Sequence, residues 1–415
     1  MKIVIAGYGI EGKSNYRYFR QKFPEAEIII ADQNTVPDAP SGVKVISGPD
    51  VFENLTDADL VVRTASLPPT AIKTNGQITS STNQFFENCP APIIGVTGTK
   101  GKGTTCSLIA SILEAAGKKA YLLGNIGVPA LDILDQIQPD DIVVYELSSF
   151  QLWDLKKSPA IAVVLMIESD HLEVHADFDD YLSAKANIGR YQTDDQVMVF
   201  DKDNQFSRLV ADQSPAKKIE YPFEIGDLAD SLKLPGQHNR ENASAAISVA
   251  RQFAIDDQTI SRGLEQFTGL PHRLKFVREV GGVKYYDDSI STTPGSAVAA
   301  LESFQQPKIL LVGGHDKGGD YSSLAEVASR DDQLKNLIVY GQNAPKIIAA
   351  LESTDFDKSK IIHLTDVDMK SIVTTASQQA SPGDVVILSP AAASFDMFTS
   401  YVDRGQQFVD AVNRL

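Results

Sequence analysis

Gly95-Val96-Thr97-Gly98-Thr99-Lys100-Gly101-Lys102-Gly103-Thr104-Thr105 follows the apolar run Pro92-Ile93-Ile94 and precedes a helix-like run from Cys106 to Ala116. The order reads as strand, glycine-rich turn, helix. Glycines let backbone N–H groups close around phosphate oxygens, and a helix N-terminus adds partial positive charge. Lys102 can reach a β- or γ-phosphate, and a nearby hydroxyl can hold Mg²⁺. Gly98 to Thr105 is therefore a nucleotide-phosphate cradle by pattern. It departs from the common P-loop in one way. Gly103 stands where Ser or Thr usually follows the lysine, which moves the hydroxyls to Thr104 and Thr105.

The same strand–glycine–helix logic recurs on the N-terminal side. Ile3-Val4-Ile5-Ala6 is a buried-strand run, followed by Gly7-Tyr8-Gly9-Ile10-Glu11-Gly12, a helical stretch from Ser14 to Lys22, and the strand Ile28-Ile29-Ile30-Ala31 ending at Asp32. This is the dinucleotide-binding fingerprint. Residues 1–90 have room for only half of a two-lobed dinucleotide fold, so a single nucleotide or nucleotide-sugar suits them better than NAD. A second domain is expected over 91–269. Its apolar strands Ile142 to Tyr145, Ile161 to Met166 and Val197 to Phe200 alternate with helical runs, and its last helix starts near His238. A third is expected over 270–415, with strands Ile309 to Val312, Leu337 to Tyr340 and Val385 to Leu388 and a helix over 391–411. The alternation predicts an α/β chain of three domains with mostly parallel sheets.

Composition bounds the function. The chain has 415 residues, 43% of them hydrophobic, enough for several cores. With 38 basic against 54 acidic residues and a net charge of −16, broad nucleic-acid binding is not expected. No apolar run approaches the ~18 residues of a membrane span. The N-terminus enters a strand at once, so no signal peptide is expected. Two cysteines, Cys89 and Cys106, cannot form a framework of bridges, and a cytoplasmic location is the simplest.

Further constellations carry chemistry. Glu146 ends a buried strand in Tyr145-Glu146-Leu147-Ser148-Ser149. An acid there in a P-loop protein serves Mg²⁺, or it is a strand-end acid in solvent. His171 in Glu168-Ser169-Asp170-His171 is a metal ligand or a structural histidine. Lys185 in Tyr181-Leu182-Ser183-Ala184-Lys185 reads locally as an ordinary helix lysine. Asn125 in Gly124-Asn125-Ile126-Gly127 faces a ligand or makes a turn. Arg273 in Leu270-Pro271-His272-Arg273 clamps phosphate or bridges domains. The acids and hydroxyls of Asp287 to Thr293, the cation of Gly313-Gly314-His315-Asp316-Lys317, and the amides of Ser389 to Asp396 suit polar or anionic ligands.

Taken in order, these motifs resemble the Mur ligase family: Gly-Thr-x-Gly-Lys, Gly-Asn-Ile-Gly, Glu-Leu-Ser-Ser-Phe-Gln-Leu, Asp-His, Ala-Lys, His-Asn-x-x-Asn, Leu-Pro-His-Arg, Asp-Ser, Gly-Gly-x-Asp-Lys and Ser-Pro-Ala-x-Ala-Ser run along nearly the whole chain. The likeness is strongest to the activity that adds D-glutamate to UDP-N-acetylmuramoyl-L-alanine in peptidoglycan precursor synthesis. It implies an N-terminal Rossmann-like uridine-nucleotide domain, a central P-loop ATPase domain and a C-terminal Rossmann-like domain. It implies ATP, two Mg²⁺ sites and an acyl-phosphate intermediate, in a cytoplasmic monomer. By that resemblance Gly98, Thr99, Lys100, Gly101, Lys102, Gly103, Thr104 and Thr105 hold the triphosphate. Thr104, Glu146, His171 and a carbamylated Lys185 hold metal. Lys102, Glu146, His171 and Lys185 form the catalytic set. Asn239 and Asn242 lie near adenine, and Arg273 and Asp288 on phosphate and ribose. Gly12, Lys13, Ser14, Asp32, Ser66 and Asn125 meet the UDP substrate. His272, Thr292, Lys317, Ser394 and Phe395 frame glutamate.

The family's usual Asp-Ser-Lys becomes Asp288-Ser289-Ile290, which removes a lysine that contacts the incoming glutamate. Ligation of L-glutamate therefore stays open. So does a ligase like the folylpolyglutamate synthases, which share the Lys-Gly-Thr loop but lack the uridine-type N-terminal domain. A nucleotide-binding regulator or an NAD-dependent oxidoreductase would belong to other classes. The former has no use for a second metal set, and the short first domain argues against the latter.

Overall fold

The computed structural model describes residues 1–125 and 128–415. The described residues form three β-sheets. The first contains β1 (Lys2–Ala6), β2 (Glu27–Asp32), β3 (Lys44–Ser47), β4 (Leu60–Arg63) and β5 (Gln77–Ser80), ordered β3-β2-β1-β4-β5. All its pairs are parallel. The unbroken apolar run of β1 has a direct cause. Ile3 and Ile5 enter one hydrophobic cluster, and Val4 and Ala6 enter another on the opposite face. A parallel strand covered on both faces has no solvent side to vary.

The second sheet contains β6 (Ile93–Thr97), β7 (Ala120–Gly124), β8 (Ile142–Glu146), β9 (Ile161–Val164), β10 (Val197–Asp201) and β11 (Lys217–Tyr221), ordered β11-β10-β9-β6-β8-β7. The P-loop strand β6 lies between β8 and β9, where the chain's winding reverses direction across the sheet. Crevices at such switch points, beyond the carboxyl ends of strands, are where ligands bind in α/β sheets. The order thus gathers the P-loop, the end of β8 and the segment after β9 at one place.

The third sheet contains β12 (Lys275–Val280), β13 (Val283–Asp287), β14 (Lys308–Gly313), β15 (Leu334–Tyr340), β16 (Ile361–His363) and β17 (Val385–Leu388), ordered β12-β13-β17-β14-β15-β16. It is parallel except for β12, which runs against β13. Leu310 and Val312 feed one core face, and Ile309 and Leu311 the other.

The chain packs as two compact units, Met1–Ser231 with Glu241–Gln266, and Leu232–Arg240 with Phe267–Leu415. The first unit therefore holds two sheets. Two helix expectations need correction. The helix expected over 391–411 is Tyr401–Asn413. Ala391 sits at φ 58, and Ala393 pairs with His315 and accepts hydrogen bonds from His315 and Arg404, so residues 391–400 are held as a loop. The helix Gln237–Gln252 is also not the last of its region; Asp257–Gln266 follows. That later helix packs on the P-loop helix Lys102–Ala115 at Gly263, where an added Cβ would come within 2.5 Å of Ile112.

Candidate active site

In the first unit, the P-loop turns at Gly98 (φ 142) and enters its helix through Gly101 in the left-handed region (φ 85). A Cβ on Gly101 would lie 2.4 Å from Asn242 Oδ1, so glycine is required there twice over. Thr104 and Thr105 are buried in the first helical turn, and the Thr105 hydroxyl donates to Asn242 Oδ1 at 3.3 Å. The Thr99 hydroxyl is committed to protein. It donates to Glu168 O at 3.0 Å, accepts from Glu168 N at 3.0 Å, and lies 2.9 Å from the Tyr181 hydroxyl. Lys100 pairs with Glu168 at 2.6 Å. Gly103 is buried within the helix start.

Two lysines converge on one carbonyl. Lys102 Nζ donates to Gly98 O and Thr99 O, each at 3.0 Å. Lys185 Nζ donates to the same Gly98 O at 2.8 Å. Lys185 projects from the helix Phe178–Arg190, is 1% exposed, and sits 4.5 Å above the Tyr181 ring. Burial, and then the nearby Lys102 charge, push its ammonium well below the usual lysine range, with Asp170 opposing. The local sequence gives no sign of this. The structure makes it the most deeply buried lysine near the cradle.

Glu146 is the buried last residue of β8, directly across from Val96 of β6. Its carbonyl accepts from Asn125 N at 3.2 Å, while the exposed Asn125 side chain lies beyond; Ile126 and Gly127 are outside the described residues. His171 takes a left-handed conformation at φ 56, with its ring 3.2 Å from Glu173 and 5.0 Å from the Phe150 ring. Among the described residues, no three His, Cys, Asp or Glu side chains form a ready metal cage. Mg²⁺ takes one or two carboxylates and completes its shell with water and phosphate. Thr104 and Glu146 offer hard oxygens beside the cradle. A carbamate on Lys185 would add another, and a neutral amine is the form that reacts with CO₂.

The first sheet builds a cavity of ≈ 350 Å³ from the loops after β1, β2 and β4, lined by Gly7 to Glu11, Asp32 to Asn34, Phe52, Thr64, Ser66 and Leu67. Asp32 organises its rim, accepting from Tyr8 N at 2.8 Å and Asn34 N at 2.9 Å. Ser66 and Asp32 line the cavity; Gly12, Lys13 and Ser14 do not. Gly12 packs so closely that a Cβ would be 2.0 Å from Gly7 O. Lys13 pairs with Asp38, and the buried Ser14 hydroxyl donates to Asp132 at 2.9 Å.

In the second unit, His272 (φ 60) donates from Nδ1 to Asp287 Oδ2 at 2.7 Å, and that partner raises its imidazole above the usual value. Arg273 Nε is buried and, among the described residues, has no hydrogen-bond partner. A buried guanidinium N–H of this kind can serve an anionic ligand or a bound water. Asp288 is 3% exposed and ties three segments together. It accepts from Leu274 N at 3.1 Å, Ser291 Oγ at 2.5 Å and Ser389 Oγ at 2.8 Å. Desolvation still lifts its carboxyl to about 6. Ile290 N donates to His272 O, and Thr292 is exposed next to it. Lys317 lies 5.5 Å over the Phe395 ring, which is 63% exposed, beside the buried Ser394. Asn239 donates to Pro235 O at 2.6 Å.

The pattern of the Mur ligase middle domain matches residues 96–228, and that of the Mur ligase, glutamate ligase domain matches 272–392. A UDP-N-acetylmuramoylalanine–D-glutamate ligase of Acetivibrio thermocellus is 37% identical over 405 residues, covering 90% of this chain and 86% of that protein. One from Clostridium kluyveri is 36% identical over 400 residues, covering 89% and 86%. The chain belongs to the Mur ligase family. Solved Mur ligases share the fold. MurF of Thermotoga maritima, determined with ADP, has a TM-score of 0.60 at 18% identity, covering 100% of this chain and 94% of that one. MurC of the same organism gives 0.60 at 18%, covering 100% and 99%.

Two residues of this Mur ligase, Tyr181 and Arg404, escaped the sequence reading. Tyr181 carried a usable signal, since it stands four residues before Lys185 and shares its helix face. Arg404, fully buried and donating to Ser289 Oγ, Ser289 O and Ala393 O, had none.

Proposed function

We propose that this Mur ligase joins D-glutamate to UDP-N-acetylmuramoyl-L-alanine at the cost of ATP, in the cytoplasm and as a monomer. A carboxylate is a poor electrophile. Transfer of the ATP γ-phosphoryl group to the alanine carboxylate makes an acyl phosphate and ADP. The glutamate amine then attacks the carbonyl carbon, and the tetrahedral intermediate expels phosphate to leave an amide. Lys102 neutralises the transferring phosphoryl group, and Arg273 receives an anionic group in the second unit. Ser66 and the Asp32 rim hold the uridine nucleotide. His272, Lys317, Ser394 and Phe395 frame glutamate. Mg²⁺ held by Thr104 and Glu146, and by His171 with carbamylated Lys185, would offset phosphate charge.

The observation that carries this reading is the Lys102–Lys185 pair on Gly98 O. A cradle that only binds nucleotide needs Lys102. It does not need a second, buried amine driven toward neutrality, whose natural use is conversion to an anionic metal ligand. The test is phosphate release with ATP, Mg²⁺ and UDP-N-acetylmuramoyl-L-alanine, with D- and L-glutamate in parallel. Release that depends on the muramoyl substrate and on D-glutamate is expected. Release needing neither overturns the ligase reading. Equal turnover of L-glutamate would trace to Ile290, where the charged contact is missing.

A further inference from the structure

Arg63 is the last residue of β4, is 0% exposed, and stands outside every motif that suggested function. Its guanidinium is fully employed. Nη1 donates to Thr64 O at 3.3 Å, Ala65 O at 3.3 Å and Leu67 O at 3.2 Å. Nη2 donates to Phe150 O at 3.0 Å and to Asp154 Oδ1, and Nε donates to Asp154 Oδ2 at 3.1 Å. Thr64 and Leu67 line the nucleoside cavity. Phe150 and Asp154 belong to the segment that leaves β8 just after Glu146. Asn83 reinforces that end, donating to Asp154 O at 2.8 Å and accepting from Lys156 N at 2.9 Å.

We propose that Arg63 is a positioning residue that fixes the spacing between the nucleoside cavity and the phosphate-transfer end of the site, so that one substrate can occupy both. The inference rests on the ligase reading above. A buried ion pair is a weak source of stability, because desolvation cancels much of its attraction. Its advantage is geometric. A planar fork joins three carbonyls of one loop to a carboxylate of another segment in a fixed geometry, which a lysine cannot do. The substrate's nucleotide and its reacting carboxylate sit at opposite ends of that span, so an error in spacing would be felt only by a ligand that reaches across it.

The experiment uses the full-length enzyme and Arg63→Lys, with calorimetric titration of UDP and of UDP-N-acetylmuramoyl-L-alanine, and steady-state kinetics. Wild-type enzyme must bind the muramoyl substrate; if it does not, the ligase reading itself fails. Given that binding, Arg63→Lys is expected to keep UDP affinity within about twofold, weaken the intact substrate about tenfold, and lower kcat about a hundredfold with the KM for ATP unchanged. The double variant Arg63→Met/Asp154→Leu leaves no unpaired charge buried and is expected to stay folded, with a cooperative melt, while keeping the catalytic defect. Wild-type kcat and substrate affinity in a folded variant overturn the proposal. So does an equal loss for UDP and intact substrate. Should Arg63→Lys not accumulate, Asp154→Asn is measured in the same way and carries the same outcomes.

Discussion

Lys185 in the first unit and Asp288 in the second are both ionisable groups taken out of water, and burial drives each toward neutrality. They differ in company. Asp288 receives three hydrogen bonds from Leu274, Ser291 and Ser389, all of which favour the carboxylate. Lys185 has one carbonyl and one aromatic ring, with a second lysine close by that opposes its charge. A buried charge surrounded by donors is a tie between segments. A buried amine short of anionic partners is a candidate for chemistry, which is the role proposed above for Lys185. On the proposed reading, what surrounds each group separates the tie from the chemical group, where burial alone does not.

Replacing each residue tests that division, and the largest effect falls on Lys185. On the proposed reading, in which Lys185 serves as a carbamate ligand to metal, Lys185→Ala is expected to lose about a thousandfold in kcat. A short-chain carboxylic acid should restore part of the activity. In bicarbonate-free buffer, Lys185→Met should melt at a higher temperature than the parent, because the cost of burying the amine is gone. Full activity of Lys185→Ala would make this lysine structural and collapse the contrast.

Asp288→Ala should do the opposite. Three donors lose their acceptor, and a loss of about 3 kcal/mol in urea unfolding is expected. Asp288→Asn then isolates the titration. A folded-state carboxyl at about 6 lies above its ordinary value of 3.8. Between those values the folded chain binds more protons than the unfolded one, so stability falls as pH rises through the window. This contribution is largest in acid and lost above about pH 6. The stability difference between wild type and Asp288→Asn should shift toward the variant by about 2 kcal/mol from pH ~4 to ~7.5. A difference that stays constant across that range would mean the carboxylate is held without strain.

Much of the frame was legible in the residues. Strand runs such as Ile3 to Ala6 and Ile309 to Val312 were readable because both faces of a parallel sheet demand apolar side chains. The cradle was readable because Gly98, Gly101 and Lys102 obey local backbone rules. The loop over 391–400 was not. Its alanines favour a helix, and what prevents one is a bridge to His315 and the reach of Arg404, both distant in sequence. Lys185 and Arg63 were illegible for the same reason. Each looks like a surface cation until the topology brings Gly98 to one and Asp154 to the other. Ser14 shows another limit of local reading, since the motif gave no sign that its hydroxyl donates to Asp132, 118 residues away in the sequence.

The finest test of the contrast concerns Tyr181, which touches Lys185 through its ring and the cradle through its hydroxyl. Thr99 Oγ1 donates to Glu168 O, so the Tyr181 hydroxyl is the donor in their 2.9 Å contact. Tyr181→Phe removes that bond and leaves the ring. Thr99 keeps both bonds to Glu168, so the loss should be about 1 kcal/mol, or about fivefold in kcat/KM for ATP. The bicarbonate dependence of activity should not change, because the surroundings of Lys185 are intact. Tyr181→Leu also removes the ring face that favours the ammonium form. Its amine should be neutral more of the time, and activity should be regained at lower bicarbonate than in Tyr181→Phe. If the two variants respond to bicarbonate alike, the ring has no part in setting the state of Lys185. The amine's chemistry would then be governed by desolvation and Lys102, with Asp170 opposing them.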